Sequence, residues 1–373
     1  MEPITLSNGT LLVLYEMPHL RSAALGVWVK NGSRNESKAT NGISHFIEHM
    51  LFKGTTNRTA FDIADEIDAV GGQINAYTSK EYTCYHTRTL DEHLETAFEV
   101  LSDMRFNSLF DDGEIKKERN VIAEEINMYE DLPDEQVHDI LQSGLWGRNP
   151  LGYPILGTKK SISKIDSRLM KEYFSENYRP GNTILSVAGH FDRDVVLDYA
   201  ERYFGGVHAV GERTKKQKTA AYTPGVICKE KDIEQVHLVL GFPSIAVGSD
   251  KSYTLAILNT ALGGGMSSRL FQKIREEHGL AYSVYSYNTS YVDAGVFAVY
   301  AALNPDETQK LIRMVVSEIK AFSLDERQLA RVKAQIKSNY VMGLESSSTV
   351  MSSIGKSQLL LGRVYTPDEI IGK

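Results

Sequence analysis

The same order of predicted secondary structure occurs twice along this chain of 373 residues. In the first half, a strand at residues 25–29 is followed by a polar loop, a helix and a β-hairpin at residues 73–87. In the second half, residues 239–242 form the matching strand, residues 255–262 the matching helix, and residues 282–302 an interrupted hairpin. The repeat spans about half the chain, far longer than a solenoid unit. We therefore predict an α+β protein made of two homologous halves.

Chain length also favours two domains, because one hydrophobic core rarely organises this many residues. We predict domains at residues 1–208 and 225–373, joined by a polar linker at residues 209–224. Each predicted domain is long enough to bury a core of its own.

Composition is that of an ordinary globular protein, with 42% hydrophobic and 24% charged residues. There is no run of about 18 apolar residues and no signal-peptide pattern, so we predict no membrane span and no membrane partner. Cys84 and Cys228 are too few for a disulfide framework and suit a reducing compartment, which predicts a cytoplasmic protein. The net charge of −7 disfavours a nucleic-acid partner and is compatible with basic peptide substrates.

The segment His45-Phe-Ile-Glu48-His49 carries the clearest chemical signal. On a helix, residues four apart lie on one face, so His45 and His49 can bind a single metal ion. Glu48 is adjacent, and its carboxylate can reach a water on that ion. The alternative is a helix whose histidines only pack or face solvent, since short motifs recur by accident.

Residues around this segment fit a helix. Asn41 and Ser44 are predicted to cap its start, and Gly54 to end it in a left-handed conformation. A second predicted helix, residues 111–130, carries Glu118 and Glu125 seven positions apart and therefore on one face. Catalytic zinc usually has three protein ligands, so one of these glutamates is a candidate third ligand. Taken alone, helical glutamates more often face water.

Together these segments resemble the pitrilysin family of zinc peptidases. His-x-x-Glu-His followed by Glu125, 76 positions after His49 and with Glu118 seven before it, is typical of the branch containing mitochondrial processing peptidases and their bacterial relatives. The resemblance implies that His45, His49 and Glu125 bind one zinc ion per chain. It implies that Glu48 takes the proton from water and that Glu118 orients a ligand. It also implies two halves, each an antiparallel sheet flanked by helices, enclosing a substrate chamber.

The second half lacks the metal motif, having small and apolar residues in the matching helix. The resemblance nevertheless assigns it Arg275 and Tyr282, seven positions apart, as donors to the substrate near the scissile carbonyl. Residues 263–265, three glycines, are interpreted as a helix-terminating turn, with a substrate-lining loop as the alternative.

The resemblance also suggests how substrate is held. Residues 73–78 match an edge strand that pairs with an extended peptide, which places Asn75 near the cleaved bond and the Ala76 backbone beside it. An ordinary hairpin strand is the alternative. Glu135 and Asp139, four apart, match acidic residues that pair with an arginine just before the cleavage site. Otherwise Glu135 only caps a helix and Asp139 faces water.

We therefore predict a bacterial zinc endopeptidase that acts on peptides or unfolded polypeptide, as a homodimer. The alternative is a catalytically silent structural or substrate-presenting subunit of a heterodimer. Retention of all five first-half site residues favours the enzyme. Members of this branch continue for a few tens of residues past the helix start at Thr366, so we expect a truncated tail and a second domain without its last helix.

Overall fold

A computed structural model describes residues 2–206 and 219–373, which form two compact units. The first unit comprises residues 2–127, 153–206 and 343–372, and the second comprises residues 128–152, 219–342 and Lys373. Residues 128–152 and 343–372 therefore group differently from the predicted division. Most of the predicted linker 209–224 lies outside the described residues.

Groups of strands and groups of helices follow one another along the described residues. The strands are β1 (Ile4–Thr5), β2 (Leu11–Glu16), β3 (Ser22–Val29), β4 (Gln73–Thr78), β5 (Thr83–Leu90), β6 (Thr183–Gly189), β7 (Val236–Ser244), β8 (Ala281–Ser290) and β9 (Gly295–Leu303). The helices are α1 (Ile43–Leu51), α2 (Ala60–Ala69), α3 (Leu94–Asn107), α4 (Asp112–Asp131), α5 (Pro133–Trp146), α6 (Lys159–Ile162), α7 (Ser167–Asn177), α8 (Arg193–Ala200), α9 (Ser252–Gly263), α10 (Thr308–Lys320), α11 (Glu326–Gly343), α12 (Ser347–Leu361) and α13 (Pro367–Ile371). Glu201–Gly205 and Phe271–Glu277 are short π-helical segments.

The first unit is built on a six-stranded sheet in the order β1-β2-β6-β3-β5-β4. Neighbouring strands run antiparallel except β2 and β6, which are parallel. Side chains of β3 alternate between two cores, as the period of a strand requires. Leu25 and Val27 pack with α1, α3 and α4, whereas Ala24 and Trp28 pack with α12. The predicted α+β class with sheets flanked by helices is confirmed.

Close packing of α12 on the sheet depends on glycine. A Cβ atom at Gly355 would lie 2.2 Å from Trp28 Nε1, and one at Gly26 would lie 2.4 Å from Met351 Sδ. Trp28 Nε1 donates to Ser186 Oγ at 2.8 Å in the same layer. Because these distances leave no room for a methyl group, the two glycines let helix and sheet approach.

The second unit has a three-stranded antiparallel sheet in the order β7-β9-β8. Helix α5 packs on β7 through Leu141, Leu145 and Trp146. Strand β7, helix α9 and the β8–β9 hairpin, with its break after Ser290, confirm the elements expected in the second half.

Local signals located several elements of the first unit correctly. Thr59 caps α2 by accepting from the Asp62 N–H, and Gly71 follows the helix with a φ of +66°. Strands β4 and β5 form the predicted hairpin, and the apolar stripe of α3 is buried. Within the described residues, the longest apolar helical stretches fall short of what a bilayer crossing requires.

Candidate metal centre

Helix α1 presents both motif histidines from one face. Its apolar residues Phe46, Ile47 and Met50 are buried in the core of the first unit. That packing leaves His45 and His49 side by side, and their Nε2 atoms lie 3.2 Å apart. The helix thus directs two imidazole nitrogens to one point.

Helix α4 brings Glu125 to the same point. Glu125 Oε2 lies 3.7 Å from His45 Nε2 and 3.6 Å from His49 Nε2. Ligands held tetrahedrally at the usual zinc distances of about 2.0–2.1 Å would lie about 3.4 Å from one another. Among the described residues, His45, His49 and Glu125 are the one cluster of three such groups within reach of a single ion. The donor set and its spacing fit zinc.

The protonation state of His45 favours metal binding. Burial, together with the charge of His49, lowers the pKa of His45 to about 3, so its ring is neutral near pH 7. Burial raises the pKa of Glu125, an effect that His49 opposes and Glu118 reinforces. A metal ion competes with protons for such groups, so a neutral His45 is ready to coordinate.

Glu118 contacts His49 at Nδ1, the ring nitrogen that faces away from the cluster. It is 5% exposed, and its Oε1 lies 2.8 Å from His49 Nδ1 while its Oε2 lies 2.8 Å from Lys53 Nζ. Burial would raise the pKa of Glu118, but hydrogen bonds from His49 and Lys53 outweigh it and leave the pKa lowered. An ionised carboxylate only accepts, so His49 Nδ1 carries the proton and Nε2 keeps its lone pair.

Glu48 lies outside the three-ligand cluster but next to it. Thr78 Oγ1, from β4, donates to Glu48 Oε2 at 2.5 Å. Burial raises the pKa of Glu48, while Thr78 and His49 oppose the rise. A carboxylate with a raised pKa is suited to accepting and returning a proton.

Strand β4, which carries Thr78, is an edge strand, since β5 is its one partner in the described sheet. Its side chains alternate, with Ile74, Ala76 and Thr78 turned inward and Asn75 and Tyr77 exposed. The Ala76 N–H donates to Asn75 Oδ1 at 2.8 Å. Residues 73–78 thus form the expected edge strand, and the pairing of an extended peptide with it stays a prediction.

The predicted N-terminal caps of α1, Asn41 and Ser44, are wrong. Gly42, with a φ of +93°, is the N-cap residue, and no side chain at that position can accept. Asn41 instead donates through Nδ2 to Glu36 and to the Pro154 carbonyl, and the Ser44 hydroxyl contacts Asn31 and Tyr173. Gly54 follows the helix end with a φ of +109°, as expected.

Four predicted site residues belong to the second unit. Arg275 lies in a π-helical segment, with its guanidinium carbon 4.5 Å from the ring centre of Tyr282 at the start of β8. Glu135 and Asp139 lie on α5, one turn apart. Their catalytic and substrate-binding roles stay predictions. Helix α9 ends at Gly263, and the following glycines form the expected turn.

Comparison with protein families and solved structures identifies the relationship. Residues 12–159 match the family model "Insulinase (Peptidase family M16)", and residues 164–336 match "Peptidase M16 inactive domain". The chain belongs to peptidase family M16. This membership confirms the relationship expected from the motif spacing.

Bacterial members of family M16 align with almost the whole chain. It is 45% identical over 372 residues to "Uncharacterized zinc protease YmxG" of Bacillus subtilis, covering 99% of this chain and 90% of that protein. It is 38% identical to "Uncharacterized zinc protease SCO5738" of Streptomyces coelicolor, covering 99% and 83%.

Solved structures show the same M16 fold. A protease from Helicobacter pylori superposes with a TM-score of 0.89 at 24% identity, over 96% of this chain and 89% of that one. The M16 inactive domain from Pseudomonas fluorescens gives a TM-score of 0.88 at 20% identity, over 96% and 87%.

Three residues around the centre were missed from the sequence. Lys53 had a usable signal, because it follows His49 by four positions and lies just after the end of α1. Thr78 could have been found only by assigning the inward face of β4. Glu36 lies in a loop, with no local pattern that marks its contacts with α1.

Proposed function

We propose that this chain is a zinc-dependent endopeptidase. The observation that supports it most is the cluster of His45 Nε2, His49 Nε2 and Glu125 Oε2 at zinc-ligand spacing, with the Glu48 carboxylate beside it. Relatives that align over nearly the whole chain are named zinc proteases, in agreement with this chemistry.

Each side chain of the site has a separate role in the proposed hydrolysis. Bound by His45, His49 and Glu125, zinc would supply a Lewis acid that polarises the scissile carbonyl and lowers the pKa of water. Glu48 is the base that takes a proton from the attacking water and then gives it to the leaving amine. Thr78 donates to Glu48 Oε2 and so fixes the direction in which Oε1 faces.

Substrate would bind as an extended strand along β4. Main-chain pairing with an edge strand is independent of side chains, so it suits peptides and unfolded segments of varied sequence. Asn75 is expected to turn from the Ala76 N–H toward the peptide. A homodimer in the bacterial cytoplasm is the setting that we propose for this activity.

Two substitutions test the proposal. Glu48→Gln should keep the bound zinc and lose peptide hydrolysis, whereas His49→Ala should lose both. The purified proteins are assayed for zinc content and for cleavage of an unstructured peptide library, with and without a chelator. Glu124→Gln, an exposed neighbour of the third ligand, is the control and should match wild type.

The outcomes separate the alternatives. Wild-type protein without tightly bound metal would refute the zinc site. Protein that holds zinc but cleaves no peptide in the library would instead favour the silent subunit.

We also propose that Glu135 and Asp139 favour substrates with an arginine shortly before the scissile bond. Two carboxylates one turn apart can receive a guanidinium in a bidentate manner. The test compares kcat/KM for peptides with Arg or Ala there, in wild type and in Glu135→Gln/Asp139→Asn. An arginine preference that survives the double substitution would exclude these residues.

A further inference from the structure

The first turn of α1 is capped by a carboxylate from the preceding loop. Glu36 Oε2 accepts from the Gly42 N–H at 2.7 Å and from Asn41 Nδ2 at 3.0 Å, and its Oε1 accepts from the Ser44 N–H at 2.9 Å. Glu36 is 3% exposed. The first N–H groups of a helix have no partners within the helix. A negative charge there also interacts favourably with the positive end of the helix dipole.

The backbone at this end leaves little freedom for another arrangement. Gly42 has a φ of +93°, and a Cβ there would lie 2.7 Å from the Leu156 carbonyl oxygen. Asn41 ties the same loop to the Pro154 carbonyl at 2.9 Å. Glu36 is therefore enclosed by the donors that it binds. Burial raises its pKa to about 7, although the hydrogen bonds from Asn41, Ser44 and Gly42 oppose the rise.

The two histidines of α1 differ in how their rings are held. His49 is fixed by Glu118 through Nδ1. His45 Nδ1 is buried and has no hydrogen-bond partner among the described side chains and backbone groups. Ligating histidines usually have their second nitrogen bound, which sets the ring orientation. The position of His45 therefore depends on the helix backbone immediately before it, at Ile43 and Ser44.

Resting on the zinc site proposed above, we propose that Glu36 is a positioning residue for His45, which it holds through the first turn of α1. Loss of the carboxylate frees the Gly42 and Ser44 N–H groups, so the turn can fray by one residue. His45 would then move, while His49, one turn later and bonded to Glu118, would stay.

The test compares Glu36→Ala and Glu36→Gln with Asp103→Asn, all at pH 8, where the Glu36 carboxyl is mostly ionised. Asp103 is a matched control, because it is a buried carboxylate with several donors but has no bond to α1. Zinc affinity is measured by chelator competition, and metal geometry by the visible spectrum of the cobalt-substituted protein. Histidine Cε1–H signals are recorded in the metal-free protein, and urea unfolding ranks the stability of each variant.

Glu36→Ala should weaken zinc binding about 10-fold or more, as expected when a group that orients a ligand is lost. It should also change the cobalt spectrum and shift the His45 signal more than the His49 signal. Glu36→Gln, which keeps one acceptor oxygen, should fall between Glu36→Ala and wild type, and decides the matter if Glu36→Ala does not fold. Asp103→Asn should stay within about 2-fold of wild type in zinc affinity despite a similar loss of stability.

Unchanged zinc affinity and an unchanged His45 signal in a folded Glu36 variant would overturn the proposal, as would an equal loss in Asp103→Asn. Absence of zinc binding in wild type would refute the proposed function instead. The histidine signals of the metal-free protein would still decide whether Glu36 positions His45.

Discussion

Replacing Glu118 by Gln tests how much the carboxylate behind His49 contributes to metal binding. The change keeps the shape of the side chain but removes its charge and one acceptor oxygen. The remaining oxygen can still accept from His49 Nδ1, now 2.8 Å away, but the amide NH₂ would then face the Lys53 ammonium. Glu118 is 5% exposed, so water cannot easily replace what is lost.

The expected magnitude follows from the contacts. A negative partner on Nδ1 makes the opposite nitrogen of His49 a stronger ligand, and losing such a partner typically costs 10–100-fold in metal affinity, about 1.4–2.7 kcal/mol. We expect Glu118→Gln to raise the zinc Kd by about this range, measured by competition with a chromophoric chelator at pH 7.5.

Lys53→Met distinguishes the contribution of the Glu118–His49 hydrogen bond from that of the Glu118–Lys53 ion pair. It removes the Lys53–Glu118 contact but leaves the carboxylate on His49, so zinc affinity should not fall. A zinc Kd within about 2-fold of wild type in Glu118→Gln would refute the reasoning, because the expected loss starts at 10-fold. Equal weakening in both variants would show that the ion pair, not the bond to His49, determines affinity.

Three further predictions each concern a single residue. Gly355→Ala should lower the free energy of unfolding by about 2 kcal/mol, because the new methyl group overlaps Trp28. Thr78→Val should lower kcat/KM about 10-fold or more, because it removes one hydrogen bond to the ionised Glu48. In metal-free protein, His45 should stay neutral in a histidine NMR titration from pH 8 to about 5, since its pKa is lowered to about 3. Above the unfolded-state pKa of about 6.5, His45 is neutral in both states and the stability of the fold is complete in this respect. Below that pH the unfolded chain takes up a proton that folded His45 does not, so the free energy of unfolding falls, by up to about 5 kcal/mol.

Each of these has a control or a contrary result. Gly343→Ala meets no atom nearer than 3.6 Å and should not destabilise, so equal urea midpoints for the two alanine variants would remove the packing argument. Thr78→Ser keeps the hydroxyl and should retain activity; if it loses as much as Thr78→Val, the methyl group matters instead. A His45 signal that titrates with a midpoint above pH 5 would contradict its neutrality.

The sequence located what local rules determine and missed what distant parts of the chain supply. Capping of α2 by Thr59 and the histidine face of α1 depend on neighbours a few residues apart, so both could be predicted. The cap of α1 could not, because the accepting carboxylate of Glu36 comes from a loop and is chosen by three-dimensional packing. For the same reason, the domain boundary predicted at residues 209–224 did not account for residues 343–372, which group with the first unit.

The two glutamates of α4 show how one helix face can serve two roles. Seven residues make nearly two full turns, so Glu118 and Glu125 point the same way but stand about 10.5 Å apart along the axis. Glu118 therefore meets the far side of His49, while Glu125 meets the Nε2 atoms. Rotation of α4 is fixed by the burial of Ile122 and by Arg119, which donates to the carbonyl oxygens of Ile162 and Ile165. A shift of one residue would turn the face by about 100° and remove both glutamates from the histidines. The ligand set thus depends on packing and anchoring contacts that never touch the metal.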